Sequence, residues 1–344
     1  MKIILFHPLN SHNTGDGVIL RGTENLLKEA FGNVDFIYQE FRDAEERQEV
    51  TYQKHDADLL VVSGTPWFWE TCRRSVKYQE LSKIVALYPD MKKVGMGLGS
   101  CYPIRTSIVR DFIKPDMEAV EKGNGDWRFD DILKIRETFG KFSLLMTRDP
   151  VAQRLLKVTG LTSYEVACPA AYAHEGKPEK KTKSLLIFQD PKASISKESC
   201  GGEFSRQYID FQLKLVERYG MEIITASSPD SDWLIKNGVM SQPTFIKSPD
   251  EMFSVLDTCS LVVSCRVHEA IPARVSGALT YILPMDTRFL TATKLGVIPL
   301  WTYGYPLDLL EIGRPNIDRI NSFTQTEMAR SKTLIIEKLR GLIS

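Results

Sequence analysis

Short, continuously apolar runs alternate along this chain with segments whose apolar residues recur every three or four positions. Ile3–Phe6, Leu59–Val62, Leu144–Met146, Leu185–Phe188 and Leu261–Val263 are runs of the first kind. Gly17–Phe31, Val76–Leu87, Pro150–Val158 and Phe204–Tyr219 are segments of the second. A strand without a polar face must be covered on both sides, as a strand is in a parallel sheet flanked by helices. The pattern therefore predicts an α/β fold. A chain of 344 residues exceeds what one ordinary core supports. The best break is the charged, Pro-containing stretch Glu175–Lys183, EGKPEKKTK. Two doubly wound, Rossmann-like domains are expected, residues 1–176 and 184–325, followed by an amphipathic helix over 326–344. Two such domains in series face a central cleft. Ligands of doubly wound sheets bind beyond the carboxyl ends of the strands, so residues just after apolar runs carry the functional expectation.

Composition narrows the classes. Lys plus Arg equals Asp plus Glu, at 44 each, which leaves no electrostatic footprint for a nucleic acid. No apolar run is long enough to span a bilayer. The start, MKIILFHPLN, reads as a first strand rather than an export signal, and a cytoplasmic location is expected. The six cysteines (72, 101, 168, 200, 259 and 265) have no zinc spacing and read as scattered buried thiols. No metal site is expected.

Six clusters follow strand ends. Asn13-Thr14-Gly15-Asp16, with His12 before it, opens the first helix. Its small residues let a ligand approach the helix N-terminus, and Asp16 is a candidate cap. Ser63-Gly64 leads into Trp67, Phe68 and Trp69, whose faces suit stacking on a sugar ring or base; local core packing explains them equally well. Gly95-Met96-Gly97-Leu98-Gly99-Ser100 superficially resembles a dinucleotide loop. Its GxGxG spacing, its place in a middle strand and the lack of a ribose-binding acid argue against a nicotinamide cofactor. Arg148-Asp149 ends a strand, either as an anion fork or as a local surface pair. Ser264, Arg266 and His268 fall at a strand-to-helix turn. A fixed cation beside a group that titrates near neutrality suits proton transfer on an anionic substrate. Asp286-Thr287-Arg288 adds a further cation.

In this order, the clusters resemble the polysaccharide pyruvyl transferase superfamily. The resemblance runs over about residues 3–297, from the NxGD element Asn13–Asp16, through Asp58 to Gly64, Gly95 to Gly99, and Arg148-Asp149 up to Gly160, to Ser264, Arg266, His268, Gly277 and Asp286. It implies a two-domain architecture like that of GT-B glycosyltransferases, with the last helix crossing back to the first domain. It implies transfer of pyruvate from phosphoenolpyruvate to two hydroxyls of a sugar, giving a cyclic ketal in glycan or cell-surface polysaccharide biosynthesis. Arg148 and Arg266 would clamp the donor, and His268 would be the general acid. Asp16 or His12 would take a hydroxyl proton. Asn13, Gly15, Ser264, Arg288, Gly64, Trp67, Trp69, Gly99 and Ser100 would line the substrates. Phosphoenolpyruvate is the donor substrate and no cofactor is implied. A lipid-linked acceptor would bring the protein to the inner membrane face; the oligomeric state is left open.

The chain departs from the family pattern where Gly64-Thr65-Pro66-Trp67 replaces a glycine run, at Cys168-Pro169 and at Arg288. The first two changes bear on the acceptor. A GT-B glycosyltransferase with a nucleotide-sugar donor stands as the alternative, with Glu269 and Asp286 as candidate ribose partners. A non-catalytic sugar- or nucleotide-binding protein would instead use the Trp67–Trp69 cluster as its binding surface.

Overall fold

The computed structural model describes residues 1–8, 13–40, 52–68, 76–102, 129–176, 181–191, 202–300 and 316–343. His12, Trp69, Cys72 and Cys200 lie outside these residues. The first half contains strands β1 (Lys2–His7), β2 (Asp35–Glu40), β3 (Leu59–Val62), β4 (Pro66–Phe68), β5 (Lys92–Ser100), β6 (Leu144–Thr147) and β7 (Tyr164–Glu165). Helices α1 (Thr14–Phe31), α2 (Val76–Leu87), α3 (Phe129–Phe139) and α4 (Pro150–Val158) lie between them. The second half contains β8 (Lys183–Phe188), α5 (Gly202–Tyr219), β9 (Glu222–Thr225), α6 (Ser228–Lys236), β10 (Thr244–Phe245), α7 (Pro249–Leu256), β11 (Cys259–Ser264), α8 (Val267–Val275), β12 (Leu279–Ile282), α9 (Phe289–Thr293) and β13 (Ile298–Pro299). The last helix, α10, is Ile317–Arg340.

Each half forms one parallel sheet. The first runs β2-β1-β3-β5-β6-β7, with β4 paired to the end of β5. The second runs β10-β9-β8-β11-β12-β13. The strand order reverses beside β1 in the first sheet and beside β8 in the second. Such reversals open a crevice at the carboxyl ends of the strands, where the loops diverge to opposite faces. The apolar runs explain the cores: all of Leu59–Val62 and Leu144–Met146 is buried.

Side-chain caps start several of the helices. Ser248 accepts a hydrogen bond from the Glu251 amide, with Pro249 in the first turn of α7. Asp149 caps α4 by accepting from the Ala152 amide. The expected cap of α1 is corrected: Asn13 holds that position, and its side chain accepts from the Gly15 amide while Asp16 lies in the first turn. The proposed linker is trimmed too, since Lys183 already belongs to β8. Helices α3 and α6 and strands β4, β10 and β13 were not anticipated.

The two halves meet through α1 and α10. Thr14 donates to the Ile246 carbonyl at 2.7 Å, and Arg21 pairs with Asp250. Helix α10 begins against the second domain, where buried Arg274 donates to Thr324. It ends against the first, where Ile335, Ile336 and Leu339 join the core of Ile3, Leu5 and Leu27. The last helix thus crosses back, as expected. No helix among the described residues is long and apolar enough to cross a membrane.

Candidate active site

The two reversal points face each other. The loop after β1 and the start of α1 come from the first domain. The turns after β8, β11 and β12 come from the second. Between them lies a cleft lined among others by Asn13, Gln189, Arg266, His268, Glu269 and Arg288.

Arg148 leaves the end of β6 and is fully buried. Its Nη1 donates to His268 Nε2 at 2.9 Å, across the domain boundary. Its Nε and Nη2 have no hydrogen-bond partner. A guanidinium is always charged and only donates, so His268 Nε2 is the acceptor in this contact. His268 is therefore neutral here, with any proton on Nδ1. Burial first, then Arg148, Arg288 and Arg266, hold its pKa well below the usual histidine value. The surface-pair reading of Arg148-Asp149 is thereby corrected: both side chains are buried and they serve different partners.

Two glycines make the close approach possible. A Cβ on Gly99 would fall 2.3 Å from Arg148 Nε. A Cβ on Gly15 would fall 2.7 Å from His268 Cβ and 3.1 Å from Glu269 Oε1. Gly64 is needed further back, where a Cβ would lie 2.9 Å from the Gly97 carbonyl oxygen.

Asp149 and Ser100 fasten the Arg148 strand to the second domain. Tyr102 N–H donates to Thr287 Oγ1 at 2.9 Å, and Thr287 and Ser100 hydroxyls meet at 2.8 Å. Ser100 donates on to Asp149 Oδ1 at 2.8 Å. Ser100, expected to touch substrate, is fully buried inside this chain of bonds.

The other two arginines are already paired. Arg266 Nη2 lies 2.6 Å from Asp230 Oδ2 and 2.7 Å from Ser227 Oγ. Arg288 Nη2 lies 2.6 Å from Asp286 Oδ2. Ser264 supports the turn beneath them, accepting from Arg266 N and donating to Arg266 O. Sequence reasoning missed Ser227 and Asp230. The Ser-Pro-Asp pattern over 228–230 was a helix-start signal that could have marked them. Asp16 shares the α1 entrance with Asn13, whose Nδ2 lies 3.5 Å from Asp16 Oδ2. His7 Nε2 contacts the Asp16 carbonyl at 2.9 Å.

Trp67 is a correction. It was expected as a stacking platform, yet it is fully buried, 6.3 Å from the Phe6 ring, and donates to the Ser63 carbonyl. The pairing of β4 with β5 turns this loop inward. Glu269 gained importance over its sequence reading. It is 1% exposed, its Oε1 has no partner, and burial raises its pKa to about 7. Cys101, Cys168, Cys259 and Cys265 are buried. Among the described residues no cluster of His, Cys, Asp and Glu has the makings of a metal site.

Comparison with curated proteins returned no significant match. Solved structures give the fold. A UDP-N-acetylglucosamine 2-epimerase aligns over 98% of this chain and 95% of its own, at 8% identity and TM-score 0.52. The UDP-GlcNAc 2-epimerase of Methanocaldococcus jannaschii aligns over 96% and 94%, at 10% identity and TM-score 0.49. An α-glucosyltransferase solved with UDP-glucose and DNA aligns over 100% and 98%, at 11% identity and TM-score 0.49. With the first of these and the two facing parallel sheets, the architecture is GT-B-like. The family model for polysaccharide pyruvyl transferase matches residues 13–278, a span that holds Asn13, Arg148, Arg266 and His268. The chain belongs to the polysaccharide pyruvyl transferase family and is a transferase.

Proposed function

We propose that the protein transfers the pyruvyl group of phosphoenolpyruvate to two hydroxyls of a saccharide, forming a cyclic ketal during glycan biosynthesis. The observation that carries this reading is the Arg148–His268 pair with two guanidinium nitrogens left without partners. Leaving buried donors unmade is costly, and a phosphate or carboxylate would satisfy them in a fork. Arg288 lines the cleft together with His268. Arg266 is committed to Asp230, so it serves better as a support for the turn than as the main clamp.

The donor also changes His268. Its anionic groups would offset the arginine field that keeps the imidazole neutral, and would draw Arg148 Nη1 off Nε2. His268 would then carry a proton beside the methylene carbon. Giving it up leaves an oxocarbenium-like centre at C2, which a sugar hydroxyl attacks. Arginines fixed around the departing phosphate stabilise developing charge with little reorganisation. The first domain, with Asn13 and Gly15 at the cleft, is read as the acceptor side.

The test is thermal stability with and without phosphoenolpyruvate, in wild type and Arg148→Ala. At about 100 Kd the ligand adds roughly 2.7 kcal/mol to the native state. A shift in wild type that Arg148→Ala loses supports the reading. A wild-type shift with a nucleotide sugar and none with phosphoenolpyruvate would refute it and favour a glycosyltransferase.

A further inference from the structure

The proposed reaction moves more protons than one histidine can handle, and the cleft holds a second candidate group. Glu269 occupies the first turn of α8, directly after His268. Its carboxyl is buried, lines the cleft, and faces the α1 entrance, where Gly15 leaves just enough room for it. Oε1 lacks a hydrogen-bond partner. An unpaired carboxylate oxygen needs a donor. Arginine supplies donors to anions, but it is a hydroxyl that supplies one to a carboxylate and then has a proton to lose.

Resting on the function proposed above, we infer that Glu269 is the base that takes the proton of the attacking sugar hydroxyl. His268 faces Arg148 and thus the donor, whereas Glu269 faces Asn13 and Gly15 and thus the acceptor side. The proton count closes with these two residues. His268 gives a proton to C3 of phosphoenolpyruvate. The first hydroxyl oxygen bonds to C2 as its proton passes to Glu269. The C2–O bond to phosphate then breaks with its electron pair on the phosphate, which takes the proton from Glu269. The second hydroxyl bonds to C2 and its proton returns to His268. The products are the ketal and one phosphate, and both residues are restored.

The surroundings fit a base poised at neutral pH. Burial raises the Glu269 pKa to about 7; Arg266 opposes this, and Asp16 from α1 and Asp230 from α6 add to it. Arg288, from the turn after β12, also senses the Glu269 charge. A base with a pKa near the working pH combines availability with strength.

The experiment compares wild type, Glu269→Gln and Glu269→Asp. Phosphoenolpyruvate binding is measured by calorimetry. Phosphate release is measured with phosphoenolpyruvate and a panel of methyl hexopyranosides between about pH 5.5 and 8.5. The expected result is donor binding within about threefold of wild type in both variants. Phosphate release falls on the order of 10²-fold or more in Glu269→Gln. The loss of rate that wild type suffers below about pH 7 vanishes in Glu269→Gln and persists in Glu269→Asp. Wild-type rates in Glu269→Gln, with the same acid limb, would overturn the inference while leaving the donor reading intact. So would a rate that falls with rising pH in wild type only, because that is the signature of an acid. Failure of wild type itself to bind phosphoenolpyruvate would remove the reading on which the inference rests.

Discussion

Gly99→Ala tests whether the position of Arg148, rather than its mere presence, governs donor binding. The added Cβ would lie 2.3 Å from Nε, 2.8 Å from Nη2 and 2.9 Å from Cζ of Arg148. Ordinary contact needs about 3.5 Å, so the guanidinium must retreat by about an ångström. It is the far end of a long side chain, so the fold can yield there. The expected stability loss is in the usual overpacking range of about 1–3 kcal/mol. The retreat moves Nη1 off His268, now 2.9 Å away, and shifts the two unpartnered nitrogens from where the proposed donor would meet them. Truncating one side of a buried, hydrogen-bonded charge contact costs roughly 2–5 kcal/mol, and even ~2.7 kcal/mol weakens Kd about a hundredfold. At a phosphoenolpyruvate concentration of about 100 times the wild-type Kd, the ligand stabilises wild type by roughly 2.7 kcal/mol and the variant by only about 0.4 kcal/mol. Urea denaturation with and without phosphoenolpyruvate reads both numbers. A variant that folds and keeps the full increment would show that the close approach of Gly99 has no part in donor binding.

Asp230 is fully buried and holds Arg266, so Asp230→Ala leaves a charge stranded and is expected to cost about 3–5 kcal/mol, read as a lower urea midpoint. Trp67→Ala should cost about 3–5 kcal/mol as a core truncation; a variant of unchanged stability would return Trp67 to the surface. Stability should also report Glu269. Its folded pKa of about 7 lies above an unfolded value near 4.3, so the folded protein holds a proton the unfolded chain has lost. Its contribution is present below about pH 4.3 and is lost as pH rises to about 7, with a magnitude on the order of 3 kcal/mol. Relative to Glu269→Gln, wild type should therefore be more stable at pH 5 than at pH 8. His268 acts in the opposite sense: its folded pKa is depressed, so its contribution is full above the unfolded value near 6.5 and fades as pH falls below it.

Local chemistry made part of this molecule legible in the sequence. Ser248-Pro249 announces a helix start because capping needs only neighbours, and Pro150 opens another; both helices begin there. Leu59–Val62 announces a central strand because all four side chains must be buried, and they are. What remained hidden depends on distant partners. Arg148 and His268 are 120 positions apart, and Arg266 and Asp230 are 36 apart, so no local pattern could reveal that one arginine is open and the other committed. The direction of the Trp67 loop was equally hidden, since it follows from the pairing of Pro66–Phe68 with the end of β5. Nor could spacing show that Glu269 is buried with one carboxyl oxygen unpartnered.

Helix α10 has a mechanical consequence. The chain passes between the domains once near residues 174–183 and again along α10, which is bonded to the second domain at Thr324 and to the first at Ser331. One tether would leave a ball joint. Two tethers, together with the core that Val267, Ala270 and Phe289 share with Val18 and Leu98 of the first half, clamp the halves like a splint rather than a joint. Separating them would break the Arg148–His268 contact. The two crossings thus keep Arg148 and His268, which come from different halves of the chain, in register with each other.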